Sequence, residues 1–102
     1  MFGWFKRASQ KTSLFNLSIV TKTLIEVCNR GYESSGGTPD KLPDNLRQKI
    51  IKSRDNLLKE IEVAQSVEIP LSDILKTIDK ASAESKLSPL ADNILGDIII
   101  NA

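Results

Sequence analysis

Histidine is absent from this 102-residue chain, cysteine occurs once, and three Phe, one Trp and one Tyr make up all its aromatics. Each scarcity removes a class of chemistry. Without histidine there is no side chain that ordinarily titrates near neutrality, and no Ser-His or Cys-His pair. Zinc-type sites built from cysteine and histidine are closed off for the same reason. The carboxylates are scattered, with neither a calcium-loop pattern nor a helical i,i+3/i+4 pair facing a core. The expectation is therefore no enzyme, no catalytic residue, no metal and no cofactor. Cys28 has no mate for an internal disulfide, which fits a reducing compartment, and its apolar helical setting reads as a small core residue. No apolar run reaches the length of a membrane span. The segment after Arg7 is interrupted by Asn16, Ser18 and Lys22, with no small-x-small cleavage pattern, so it does not read as a signal peptide. A cytoplasmic protein is expected, membrane-peripheral at most.

Net charge is also nearly missing, at +1, so no overall field points to nucleic acid. The charge is unevenly spread. Residues 1–30 hold five cations against Glu26, or 5 − 1 = +4, and residues 61–102 hold three lysines against seven acids, or 3 − 7 = −4. Such opposite ends attract one another within a monomer or across a head-to-tail contact, weakly because of screening.

What is present is helical periodicity. The clearest stretch runs from Leu46 to Val67. With Arg47 set at zero on a helical wheel, Leu46, Ile50, Leu57, Ile61 and Ala64 lie at about 260–320°, and Ile51 and Leu58 at about 20–40°. The stripe is roughly 140° wide, typical of a core-facing helix. Arg47 and Arg54 fall inside it. Their stems can lie along neighbouring helices with the heads in water, or their guanidinium forks can meet an anion or an acidic partner. Pro43 suits the first turn, Asn45 or Asp44 can cap it, and Gln48 completes a capping-box-like pair. Pro70 limits the other end.

Before that helix, Leu17, Val20, Leu24 and Val27 repeat with helical spacing, predicting a first helix over about 13–30 with Gly31 as its left-handed cap. Phe15, Leu17 and Ile19 alternate briefly like a strand, but the length of the pattern favours helix. Residues 31–42 are rich in Gly, Ser and Pro and read as a flexible loop. Gly31, Gly36, Gly37 and Thr38 nearly spell a phosphate-cradling loop. Gly37 stands where its lysine is required, and a helix precedes it instead of a strand, so that reading fails.

A third helix is expected over 72–82, with Ser72 as its cap, and a fourth over 88–100, where Ser88 and Pro89 form a cap-plus-first-turn signature. The last helix is apolar over nearly half its circumference, from Leu90 through Ile99. It needs two neighbours, or one neighbour and a second subunit.

The first seven residues hold Phe2, Trp4 and Phe5 beside Lys6 and Arg7. Aromatics next to positive charge suit a partner-docking tag or a membrane-interface anchor, and equally a lid over the core. Residues 60–80 order their apolar positions like a helix-turn-helix. Glu68 replaces the usual turn glycine there, and Lys76 and Lys80 are offset by Asp73 and Asp79.

The expectation is an all-α, small four-helix, bundle-like domain packed on a long central helix, with residues 1–12 as an aromatic and basic N-terminal segment and 13–102 as one domain. Its function is expected to be that of a non-catalytic protein-interaction or regulatory module, an adaptor acting as a homodimer. The residues for partner contact are Phe2, Trp4, Phe5, Lys6, Arg7, Ile94, Ile98 and Ile99, with Arg47 and Arg54 for an anion or acidic partner. The alternatives are a membrane-associated adaptor using the N-terminus and a DNA-binding regulator using residues 60–80.

Overall fold

In a computed structural model, which describes residues 2–101 and their side chains except those of residues 2–5 and 39, the chain is all-helical. α1 covers Phe2–Ser34, α2 Asp44–Ser66, α3 Leu71–Ala83 and α4 Pro89–Asn101, with a 3₁₀ turn at Pro39–Lys41 between the first two. The three later helices lie where the periodicity places them. The first is much longer than expected, starting at Phe2 and not near Ser13. No proline interrupts residues 2–12, and distant contacts hold this part of α1: Gln10 Nε2 donates to the Val67 carbonyl at 2.9 Å, and Lys6 pairs with Glu68.

α1 is also the hub. Its 33 residues, about 50 Å of helix, run nearly the full 54 Å of the molecule, and it packs against α2, α3 and α4, whereas α2 and α3 touch each other little. The long central helix of the fold is thus the first one, not α2. Leu17, Leu24 and Cys28 line the inner side of α1, meeting a core completed by Leu57, Ile61 and Ala64 of α2, Ile74 and Ile78 of α3, and Ala91, Leu95 and Ile98 of α4.

The end of α1 corrects the expected cap. Gly31 is inside the helix and buried, and a Cβ built there would stand 3.0 Å from Cδ1 of both Ile50 and Leu42. Its role is room for a neighbouring helix. The left-handed cap is Gly36, at φ 63°, with Gly36 N–H donating to Glu33 and Gly37 N–H to Tyr32, the paired bonds of a Schellman end. Across residues 31–42 the end of the helix, a turn and the 3₁₀ segment follow one another, with Lys41 N–H donating to the Thr38 carbonyl at 3.0 Å.

α2 ends in the same motif. Glu68 N–H donates to Gln65 at 3.0 Å and Ile69 N–H to Ala64 at 3.1 Å, with Glu68 at φ 64° in the position glycine favours. The expected side-chain caps of α2 and α3 do not form: Pro43 and Pro70 hold the cap positions, and no side chain bonds to the first turns. The α4 cap does form, with Ala91 N–H donating to Ser88 Oγ at 3.2 Å.

Two long-range bonds fix the connection from α3 to α4. Asn29 Nδ2 donates to the Lys86 carbonyl at 2.6 Å, and Ser88 N–H donates to Asn29 Oδ1 at 2.9 Å. They set the start of α4 beside the end of α1, so α4 runs back antiparallel to it.

Candidate functional site

Among the described residues, two apolar faces left in water by the packing of the four helices bear on function. The first lies between α2 and α4. Gly31 lies close to Ile50 and Leu90 near the starts of those helices, and both run away from that end, so they are parallel. They scarcely touch, because each packs on α1. The gap is an open groove of about 360 Å³ lined by Arg54 and Leu58 from α2 and by Ile94, Asp97, Ile98 and Asn101 from α4. Leu58 is 41% exposed and Ile51, a helical neighbour on α2, is 36% exposed.

This geometry sorts the residues expected to bind a partner. Ile98 is only 5% exposed, held against α1 by the inner edge of α4, and it reaches the groove only at its lining. Ile94 is half-buried at the groove, and Ile99 lies at the opposite edge of α4, partly exposed. Arg47 and Arg54 both reach water, as arginine stems flanking an apolar stripe do. Only Arg54 lines the groove, and its one ion pair is a loose 3.6 Å contact with the adjacent Asp55.

The second face is on α1 itself. Phe15 and Ile19, one turn apart, point away from all three neighbouring helices and are 65% and 46% exposed. Neither is among the residues expected to be functional. The available signal is the alternation of Phe15, Leu17 and Ile19: on a helix, Leu17 turns inward and the other two turn outward.

At the start of α1, Lys6 and Arg7 are exposed, and the helical backbone carries residues 2–5 past the α2–α3 turn at Glu68. The side chains of Phe2, Trp4 and Phe5 lie outside the described residues. Lys6 beside Glu68 holds that carboxyl below its usual range, and Lys22 does the same for Glu84.

The expected helix-turn-helix receives no packing support. Its two helices, α2 and α3, share little contact, and the exposed side of α3 alternates Asp73, Lys76, Asp79 and Lys80. A smaller cleft of about 150 Å³ lies at the other end of the molecule, between Tyr32, Leu42 and Leu90. Cys28 is fully buried, and burial pushes its thiol up to about 11, the opposite of nucleophile activation. Among the described residues, no three of His, Cys, Asp and Glu come together as a metal cluster, and no helix is long and apolar enough to cross a membrane. Comparison with protein-family models, with curated proteins and with solved structures gives no match.

Proposed function

We propose that this chain is a non-catalytic protein-interaction module that works as a homodimer. The observation that supports the reading is the α2–α4 groove. The apolar stripe of α2 is wider than α1 alone can cover, α4 stands off from it, and Leu58 is left in water beside half-buried Ile94. Contiguous apolar surface of this kind, rimmed by charge, marks association surfaces more often than idle ones. Size-exclusion chromatography with light scattering over a concentration series tests the reading. The expected result is a mass rising towards twice 11.3 kDa; a constant monomer mass at high concentration would remove it.

A second reading, docking on an anionic membrane surface through Phe2, Trp4, Phe5, Lys6 and Arg7, is supported by the start of α1. The first turns of α1 carry these residues, and an aromatic and basic helical stretch suits the lipid interface. Flotation with phosphatidylserine vesicles, with and without residues 1–7, tests it. Binding that survives the deletion, or no binding by the intact chain, defeats it.

A further inference from the structure

We infer that the α2–α4 groove is the homodimer contact, and that two reciprocal ion pairs between Arg54 and Asp97 set its register. The inference rests on the homodimer reading above and names the surface and symmetry that reading leaves open.

The argument begins with the walls of the groove. One wall, from α2, carries Arg54; the other, from α4, carries Asp97; Leu58 and Ile94 lie in the same cleft. The two charges are opposite in sign and face a common apolar trough. Arg54 is held only by the loose contact with Asp55, leaving most of its guanidinium donors to water. Asp97 is exposed, and its carboxylate has no cation partner among the described residues. Each wall therefore offers what the other lacks, and the two walls of one molecule do not close on each other.

Because α2 and α4 are parallel, the symmetry follows. A two-fold axis lying along the groove places α2 of one molecule over α4 of the second, running the same way. Arg54 then meets the second copy's Asp97, and Asp97 meets the second copy's Arg54. Leu58 and Ile94 of both copies come together between the two pairs. A two-fold axis lying across the groove instead stacks α2 on α2 and sets arginine against arginine, a like-charge contact that opposes association. The charge pattern thus selects one of the two isologous arrangements, in which residue i touches j and j touches i. It also gives the unequal charge of the two ends of the chain, +4 over residues 1–30 and −4 over 61–102, no part in the contact; the local pair decides.

The face is small. α4 has 13 residues, about 20 Å of helix, and two helices side by side offer less than the roughly 800 Å² per partner of a standard interface. Association in the micromolar range is expected, so the pairs form a measurable share of it.

Charge reversal in the full chain, followed by sedimentation velocity at low ionic strength, tests the inference without relying on any one variant. R54D alone sets a carboxylate against the second copy's Asp97 twice, and D97R alone sets arginine against arginine twice. Each is expected to weaken the dimer at least about tenfold in Kd. Mixed one to one, the two variants form heterodimers in which each contact joins an aspartate of one molecule to an arginine of the other, so both pairs are attractive again. Rescue is therefore expected in the mixture, and also in the double variant R54D/D97R, in which both reciprocal pairs are attractive again with their signs exchanged. The double variant is expected to dimerise within about threefold of the wild-type Kd. Misfolding cannot produce such rescue, and circular dichroism confirms equal helicity. A wild-type dimer that neither single variant weakens overturns this interface while leaving the homodimer standing. Single variants that weaken the dimer without rescue in the double variant overturn the reciprocal pairing. A wild-type chain that stays monomeric, including one whose groove takes a helix of a different protein instead, overturns both.

Discussion

Replacing Asn29 with alanine should loosen α4 selectively. Asn29 is the α1 side chain that grips the α3–α4 connection at both ends, accepting from Ser88 N–H at 2.9 Å and donating to the Lys86 carbonyl at 2.6 Å. Of the three helices around α1, α4 makes the lightest contact with it, so these bonds are a larger share of its anchorage than they would be elsewhere. A hydrogen bond contributes about 0.5–1.5 kcal/mol net. The Lys86 bond is exposed and water replaces much of it, whereas the Ser88 bond is partly buried. Together they are expected to be worth about 1.5 kcal/mol, or a fall of ~6–10 °C in Tm for a domain of this size. Urea denaturation followed by circular dichroism measures the global loss, and amide exchange locates it. Exchange should accelerate in Ala91–Ile98 while the amides around Leu17 and Leu57 change by no more than the global loss requires. Asn29→Asp keeps the acceptor for Ser88 N–H but sets a second carboxylate oxygen against the Lys86 carbonyl, so it should cost at least as much as losing the Lys86 bond alone. A loss below about 0.5 kcal/mol for Asn29→Ala, or equal acceleration in all four helices, would refute the reasoning.

Cys28 gives a pH signature. Its thiol is raised in the fold from 9.0 to about 11, so the unfolded chain gives up a proton that the folded chain keeps; stability is full below pH 9 and falls as pH climbs to about 11, by about 2–3 kcal/mol. Denaturation midpoints for wild type and Cys28→Ala, compared between pH 8 and 11, should converge; parallel curves would contradict the buried thiol. Ser13 is 3% exposed and its hydroxyl has no partner among the described residues, so Ser13→Ala should raise stability by about 1 kcal/mol, through relief of an unpaired hydroxyl and better helix propensity; a loss in urea melts would mean the hydroxyl is bonded after all. Glu68 holds φ 64° at the end of α2, a conformation that costs a non-glycine residue about 1 kcal/mol, so Glu68→Gly should raise Tm in a thermal melt even though it removes the Lys6 pair. For Glu84, whose carboxyl Lys22 holds below the usual range, Lys22→Met should move its titration upward by NMR, and the pair's support for the fold is present at neutral pH and lost as pH falls through that range; an unmoved titration would place Lys22 elsewhere in solution.

Prolines make the later helices legible. Pro43 and Pro70 bracket α2, Pro70 also opens α3, and Ser88–Pro89 opens α4; these signals are local, and local signals survive folding. The ends of α1 depend on information of another kind. Gly31 reads as a cap because glycine serves both left-handed turns and close approach, and only the neighbouring Ile50 and Leu42 side chains tell the two apart. The early start rests on Gln10 and Lys6 reaching the α2–α3 turn, at Val67 and Glu68, which no window of the chain reveals.

The hub is hidden in the sequence for a related reason. A helix with one partner concentrates its apolar residues in a clean stripe, as α2 does; a helix with three partners spreads them, and its periodicity blurs. Ile25 on one flank of α1, Leu24 in the middle and half-buried Val20 and Val27 on the other flank are the marks of such a hub. The candidate site has the opposite origin. Its residues are legible as excess, apolar sectors on α2 and α4 wider than one neighbour requires, but sequence does not say which part of each sector the core will use. The fold takes Leu57 and Ile61 from α2 and Leu95 and Ile98 from α4, and leaves Leu58 and Ile94 with Arg54 and Asp97 beside them. That remainder is apolar in the middle and oppositely charged on its two walls, the pattern on which the proposed two-fold contact rests.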